Sequence, residues 1–245
     1  MTYCVAVKLD AGLVFLSDSR TNAGLDQIGT FRKMMVYERP GDRFMVMLSA
    51  GNLSISQQVR EILQIEQIED DGKEPITIWN ATSMFDAARV LGAAVRHVYD
   101  QDGASLKKSG LDFNASMIFG GQIQGEAMRL FLVYSAGNFI EATRETCYFQ
   151  IGESKYGKPV IDRVVHRGTS LLDATKCTIV SFESTMRSNI SVGLPIDLLV
   201  YETGSLKVAL QRRIQEFDPY FQMVHHQWGE GLRRVFAQLP DPDWL

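Results

Sequence analysis

The sequence predicts an α+β fold in which two antiparallel sheets stack between outer pairs of helices. Short apolar runs separated by tight turns fill residues 2–48, a pattern typical of antiparallel strands. Longer segments with apolar residues at helical spacing follow them. Along the whole chain the order is strands, two helices, strands, two helices, strands. This order favours stacked sheets with helix pairs on the outside.

The first half of the chain contains strands, a hairpin signal and the first helix pair. An Asp-Gly type turn at residues 10–12 predicts a hairpin. Ser54 and Gln57 have the spacing of a capping box, and a helix is expected after them. The expected segments are strands at 2–8, 13–16, 34–37 and 44–48, a loop at 21–31, a helix from residue 54, a second helix ending near residue 99, and a polar loop at 100–110.

The second half repeats this arrangement. Asp218 followed by Pro219 is typical of a helix N-cap with proline at the first helical position. His225 and His226 lie inside that helix and point in different directions, so no metal site is expected. The expected segments are strands at 115–119 and 128–134, helices at 156–165 and 170–187, a hairpin of 196–202 with 206–210, and a helix from 218 toward 236.

Composition limits the classes of function. A length of 245 residues suits one large domain spanning residues 1–245. A net charge of −4 offers no basic surface for nucleic acid. Cys4, Cys147 and Cys177 are odd in number and lack metal-ligand spacing, which fits a reducing cytosol. Because we find neither a signal-peptide pattern nor an apolar run of about 20 residues, we expect a cytoplasmic protein without a membrane partner.

Thr2 follows the initiator Met1 and opens the first strand. Removal of Met1 would leave a residue that carries both a hydroxyl nucleophile and a free α-amine. A threonine hydroxyl needs an adjacent base, and an α-amine, which titrates near about 7.7–8.0, can act as one. A Met-Thr start is common, so the prediction of a catalytic Thr2 depends on its structural context.

Three further residues lie at the ends of predicted strands. Asp18 follows the second strand, Lys33 precedes the third, and Gly51 follows the fourth. Each has an ordinary interpretation: a turn aspartate, a solvated strand end and a conformationally permissive glycine. Their order on successive strands behind an N-terminal threonine favours a shared site.

The motifs that contain these residues resemble the proteasome β-subunit family of N-terminal-nucleophile hydrolases, which includes the bacterial HslV protease. The motifs are Ser-Asp-Ser-Arg, Thr-Phe-Arg-Lys-Met and Ser-Ala-Gly. The Met-Thr-Tyr-Cys-Val start and the motif Gly-Glu-Ser-Lys-Tyr-Gly look most like the Anbu branch. The resemblance spans nearly the whole chain. It implies a four-layer αββα sandwich, a ring-like or helical homo-oligomer, and an energy-dependent unfoldase as partner.

The resemblance also implies a role for each matching residue. Thr2 would be the nucleophile, Lys33 would hold positive charge beside it, and Asp18 would keep Lys33 charged and oriented. The N–H of Gly51 would donate to the oxyanion of the tetrahedral intermediate. A peptide or protein substrate is expected, and neither a metal nor another cofactor is required.

Six positions match substrate-contacting positions of the family. Asn22 stands where substrate backbone is contacted. The other five surround the side chain that precedes the scissile bond, and none of them is charged, so a charged substrate side chain would lose water without gaining an ion-pair partner. An aliphatic or aromatic side chain is therefore expected there. The five are Thr21, Phe31, Met35, Ser49 and Leu53.

Two positions depart from the family pattern. Glu153 stands in a turn where the family has Gly-Ser-Gly, and Ser188 stands where it has the aspartate of Arg-Asp-Ser-Ala-Ser. Ser191 matches the second serine of that motif, so one hydrogen bond to the α-amine is expected. Two functions stay open: a threonine-type peptidase or amidase acting through Thr2, or a catalytically degenerate proteasome-like scaffold or partner-binding subunit.

Overall fold

The structure is a computed structural model that describes residues 2–22, 28–70 and 72–244; for residues 21, 22 and 28 it describes the backbone only. This part of the chain forms two five-stranded antiparallel sheets, one two-stranded sheet and five helices. The predicted α+β fold with stacked antiparallel sheets is confirmed.

The first sheet contains the N-terminal strand and its neighbours. Tyr3 pairs with Gly152 on one side of that strand, and Cys4 pairs with Ser17 on the other. Asp18 is placed opposite Ile196 at the same end of the sheet. In spatial order the strands are β10 (Tyr148–Gly152), β1 (Tyr3–Lys8), β2 (Gly12–Asp18), β11 (Ile196–Glu202) and β12 (Leu210–Ile214).

Two strand ends of the second sheet lie toward the start of β1. Its first two strands pair with Met34 opposite Leu48. In spatial order the strands are β5 (Met34–Arg39), β6 (Arg43–Gly51), β7 (Ala115–Ile123), β8 (Arg129–Val133) and β9 (Phe139–Glu141). A small hairpin of β3 (Arg20–Asn22) and β4 (Ile28–Thr30) lies between β2 and β5 in the chain.

Helices cover the outer face of each sheet. The second sheet packs against α1 (Leu53–Leu63) and α2 (Met84–Lys108). The first sheet packs against α3 (Ser154–Val164), α4 (Leu171–Ser188) and α5 (Pro219–Ala237). The four layers are therefore helices, sheet, sheet, helices. Among the residues described, none of the helices is long and apolar enough to cross a membrane.

Strand alternation explains why both sheets are buried on both faces. In β1, Val5 and Val7 face the helices, whereas Cys4 and Ala6 face the second sheet. Between the sheets, Phe44 stacks on Tyr201 with ring centroids 4.3 Å apart. Burying an aromatic or large aliphatic side chain contributes about 1.5–3 kcal/mol, so this layer holds the two sheets in fixed register.

Several element boundaries differ from the predictions. α1 begins at Leu53 because Asn52, not Ser54, is the N-cap and accepts from the Ser54 N–H. α2 continues to Lys108 through the predicted polar loop, since Leu106 packs on the core. β12 begins at Leu210 rather than at residue 206. The predicted loop at 21–31 contains parts of β3 and β4, and its residues 23–27 lie outside the described part of the chain.

Candidate active site

Thr2 lies immediately before β1 and is buried, with 8% of its surface exposed. Its carbonyl oxygen accepts from the backbone N–H of Glu153 at 2.8 Å. This contact depends on Gly152, whose φ is +79° and whose position leaves no room for a side chain. A Cβ at Gly152 would lie 1.9 Å from the Thr2 carbonyl oxygen. The end of β10 therefore fixes the backbone of the predicted nucleophile.

Asp18 and Lys33 form a buried ion pair next to Thr2. The Lys33 Nζ donates to Asp18 Oδ1 at 2.9 Å and to the Arg20 carbonyl oxygen at 2.5 Å. Asp18 Oδ1 also accepts from the N–H of Tyr3 at 3.2 Å, so the carboxylate contacts the peptide unit that joins Thr2 to Tyr3. Asp18 is fully buried and Lys33 nearly so. The structure thus brings together two residues that the sequence only places at strand ends.

The Asp18 carboxyl is incompletely satisfied. Within the described residues its Oδ2 atom is buried and has no hydrogen-bond partner. Burial raises the pKa of Asp18 from 3.8 to about 6, while the Lys33 charge, the hydrogen bond from Lys33 and the Tyr3 N–H oppose the rise. The carboxyl is therefore ionised at neutral pH, and among the described residues its ion-pair partner is Lys33.

Gly51 ends β6 in a conformation that favours glycine. Its φ is +109°, and a Cβ there would lie 2.3 Å from the Asn114 carbonyl oxygen. Two residues earlier in β6, Ser49 donates its backbone N–H to the Lys33 carbonyl oxygen at 3.1 Å. This bond ties the end of β6 to Lys33, which brings the predicted oxyanion glycine to the same end of the sandwich as the ion pair.

Tyr3 anchors the backbone next to Thr2, a role that sequence patterns did not indicate. Its hydroxyl hydrogen-bonds the Ser181 Oγ of α4 at 2.6 Å and also contacts the Gln150 amide. Its ring packs on Phe182 with centroids 4.6 Å apart. Gly157 makes room, because a Cβ there would lie 2.6 Å from the Tyr3 hydroxyl. Residue 3 is thereby held by both its main chain and its side chain.

A second support connects the Lys33 site to β11 and β12. Asp197 accepts from Arg213 at 2.9 Å, and Arg213 donates to the Ser19 Oγ at 3.1 Å. Ser19 also donates its Oγ to the Pro195 carbonyl oxygen at 2.8 Å. These bonds fix the backbone just before Arg20, whose carbonyl oxygen receives the Lys33 ammonium. The four residues come from distant parts of the sequence, so only the fold reveals the arrangement.

Glu153 and Ser188, which depart from the family pattern, and Ser191, which matches it, occupy different environments. Ser191 is partly buried, and its Oγ donates to the Asn189 Oδ1 at 2.5 Å. Ser188 is exposed at the end of α4, where it lines a groove with His225 rather than contacting Asp18 or Lys33. Glu153 precedes α3 and makes no side-chain cap. Within the described residues neither Ser188 nor Ser191 forms a hydrogen bond with Thr2.

The predicted substrate-contacting residues occupy the side of the site formed by β5, β6 and α1. Phe31 is exposed, Met35 and Leu53 are half-buried, and Ser49 is buried. The side chains of Thr21 and Asn22 lie outside the described residues. The four members of this set whose side chains are described are uncharged.

This arrangement has the parts needed to activate a threonine hydroxyl. The buried Lys33 ammonium is paired with the carboxylate that contacts the peptide unit of Thr2, the predicted nucleophile, and a neighbouring cation disfavours protonation of an α-amine and favours an alkoxide. In the part of the chain described, no group of three or more His, Cys, Asp or Glu residues is arranged to hold a metal ion. The chemistry available to these residues is acid–base and nucleophilic.

Solved structures closely similar to this chain share one name. Anbu, described as an ancestral beta-subunit, from Yersinia bercovieri is 49% identical with a TM-score of 0.89, and the match covers 99% of both chains. A Gly-1 mutant of Anbu from Hyphomicrobium sp. strain MC1 is 44% identical with a TM-score of 0.90, covering 99% of this chain and 100% of that one. Anbu from Pseudomonas aeruginosa, solved as a helical assembly, is 45% identical with a TM-score of 0.89 over 98% of both. Neither family models nor curated proteins gave a match.

Proposed function

The chain belongs to the Anbu family of proteasome-like β subunits, and we propose that it is a threonine-type N-terminal-nucleophile hydrolase acting on peptide or amide bonds. The observation that carries this proposal is the buried Lys33–Asp18 pair, whose carboxylate also binds the N–H of Tyr3 beside the nucleophile. A purely structural role does not require a buried, incompletely satisfied charge pair at this place, because replacing such a pair by apolar groups is often neutral or stabilising.

In the proposed mechanism, removal of Met1 exposes the α-amine of Thr2. The amine takes the hydroxyl proton as the Thr2 Oγ attacks the substrate carbonyl carbon, and an acyl-enzyme forms. Lys33 keeps the amine in its basic form and stabilises the developing negative charge. The Gly51 N–H donates to the oxyanion, an interaction worth on the order of 10²–10³ in rate at comparable sites. The amine then returns its proton to the leaving group, and water releases the acyl group.

A catalytically degenerate scaffold is the second candidate function. It is supported by Ser191, whose hydroxyl donates to Asn189, and by Ser188, which faces solvent. A scaffold would keep the fold and the assembly while the α-amine lacked these partners. The two candidates differ in one measurable property, which is whether Thr2 forms a covalent adduct.

Assembly into a homo-oligomer is part of the proposal, because a relative 45% identical to this chain was solved as a helical assembly. The last two turns of α5 and the residues after it expose a row of apolar side chains suited to such a contact: Leu232, Val235, Phe236 and Leu239. We further propose a single domain over residues 1–245, a cytoplasmic location, in keeping with the three buried free cysteines, and an unfoldase that delivers substrate.

Intact-mass spectrometry and covalent labelling test the proposed function. The purified protein should lack Met1, and a threonine-directed β-lactone should add one acyl group per chain, located at Thr2. Thr2→Ala and Lys33→Ala should abolish the adduct, whereas Lys73→Ala, which removes an exposed lysine, should not. An unlabelled chain that starts with a free Thr2 would favour the scaffold, and labelling of a chain that retains Met1 would contradict the mechanism.

A further inference from the structure

The side of the site formed by β5 and α1 extends beyond the residues predicted to contact substrate. Lys33 immediately precedes β5, and by strand alternation it shares one face with Met35 and Tyr37 of that strand. Ser49 lies opposite Lys33 across the β5–β6 ladder, and Leu53 begins α1 next to it. A substrate side chain that enters beside Lys33 therefore points along β5 toward Met35.

Arg60 lies behind Met35 and was not among the predicted site residues. Its Nη1 is 3.9 Å from the Met35 Sδ. Arg60 follows Leu53 by seven residues, about 10 Å along the helix, but side chains on a helix lean toward its N-terminus. Its guanidinium therefore leans toward the end of the helix at which Leu53 lies. Sequence spacing alone did not indicate this approach, because Arg60 and Met35 lie on different elements.

The charge of Arg60 is paired at the protein surface. Its ion-pair partner in the described residues is the adjacent Glu61, whose Oε1 accepts from the Arg60 Nε at 3.0 Å and from the Nη2 at 2.6 Å. The side chains are 34% and 64% exposed, and pairs of this kind contribute little because solvent screens them. A substrate group could replace Glu61 at low cost.

The Tyr37 hydroxyl provides a second, independent observation. Tyr37 is 4% exposed, and its oxygen is buried without a hydrogen-bond partner among the described residues. Burial raises the pKa of this hydroxyl, the nearby positive charge of Arg60 opposes the rise, and the Glu61 carboxylate adds to it. A buried hydroxyl normally has a partner, so an unsatisfied one beside a guanidinium indicates a place for a hydrogen-bond acceptor.

We propose, on the basis of the function proposed above, that Arg60 and the Tyr37 hydroxyl form the far end of the pocket that takes the substrate side chain preceding the scissile bond. They select substrates with glutamate at that position. The stem of a glutamate side chain fits against Met35, and its carboxylate accepts from the guanidinium and the hydroxyl. Met35 is flexible enough to shift and open this path. The expected apolar preference rested on five uncharged residues and did not include Arg60.

Matched peptides test the proposal. Four peptides differ only at the residue before the scissile bond, which is Glu, Gln, Leu or Lys, and kcat/KM is measured for each. Glu should exceed Leu by about tenfold to hundredfold, the range expected for hydrogen bonds to a charged group. Arg60→Met should remove that ratio, Tyr37→Phe should reduce it, and Arg60→Glu should move the preference to Lys. Arg89→Met removes an exposed arginine of α2 as the control and should leave the ratio unchanged.

Binding of the same peptides to the Thr2→Ala variant, measured by calorimetry, separates specificity from catalysis. Tighter binding of the Glu peptide that disappears with Arg60→Met would support the pocket assignment, even if the wild-type protein hydrolysed none of the four peptides. Binding without hydrolysis would overturn only the proposed hydrolase function. Equal binding of Glu and Leu peptides, absence of binding by all four, or a Glu preference that survives Arg60→Met would overturn the proposal.

Discussion

Protonation of Asp18 is a perturbation whose effect on stability can be worked out from the structure. Its carboxyl is fully buried and Oδ2 has no partner in the part of the chain described. Burial raises the pKa to about 6 from 3.8, and Lys33 offsets only part of that rise. The folded protein therefore binds this proton more tightly than the unfolded chain does. The stabilising effect of the protonated carboxyl is fully present below about pH 4 and is lost as the pH rises through about 6.

The two pKa values set the size of the effect. Lowering the pH from about 7.5 to about 5 should favour the folded state by about 1 kcal/mol through this group. For a chain of this length, that free energy corresponds to a shift of about 2–4 °C in melting temperature. Asp18→Asn cannot titrate, so the difference in melting temperature between wild type and Asp18→Asn should move in favour of wild type by this amount as the pH is lowered.

Scanning calorimetry of both proteins at matched ionic strength measures this difference. Taking a difference between two proteins cancels the titration of all groups that they share. Asp70→Asn removes a partly exposed carboxyl and is the control for the loss of one negative charge. A wild-type advantage that stays flat between about pH 7.5 and about pH 5, or grows as the pH rises, would refute the argument that burial dominates the Asp18 carboxyl.

Two further predictions concern the backbone of the nucleophile. Tyr3→Phe should lower the free energy of unfolding by about 1–3 kcal/mol, because buried polar groups lose their partner, and it should slow β-lactone labelling. Tyr148→Phe, at the surface, is the control. Unchanged labelling of Tyr3→Phe would contradict the anchoring role. Gly152→Ala should abolish labelling through its contact with the Thr2 carbonyl oxygen. Gly204→Ala shares a positive φ but faces open space, so equal losses of labelling in both variants would contradict the steric argument.

The sequence predicted those parts of the molecule that depend on local patterns. Antiparallel strands of alternating or continuous apolar residues, helix pairs and the order of layers follow from periodicity, and Asp18, Lys33 and Gly51 mark strand ends. The end of α2 was predicted nine residues early, near residue 99 rather than at Lys108. Residues 100–108 are mostly polar, and their helix is supported by packing of Leu106 and by continuity with the preceding turns, which a polar pattern does not show.

The supports of the site could not be predicted, because they join residues that are far apart in the chain. Tyr3 and Ser181 are 178 positions apart, and Ser19 and Arg213 are separated by 194. The sequence pattern identifies Tyr3 only as a strand residue, because the partner of its hydroxyl depends on how α4 packs across the sheet. The sequence pattern identifies Arg60 only as a charged residue in the last turn of a helix. Its contact with Met35 could not be predicted, because it depends on the packing of α1 on β5.

The anchoring of Tyr3 has a consequence for the entropy of the reaction. Its N–H, its ring and its hydroxyl are each held, and the Thr2 carbonyl oxygen is held by the Glu153 N–H, so the backbone around the proposed nucleophile is ordered in the folded chain. Fixing the backbone of one residue costs about 1–2 kcal/mol in lost conformational freedom. Here that loss occurs once, when the chain folds, and is not repeated each time a substrate binds. Residues near a chain end are ordinarily among the least ordered, whereas Thr2, the proposed nucleophile, is already oriented before a substrate arrives.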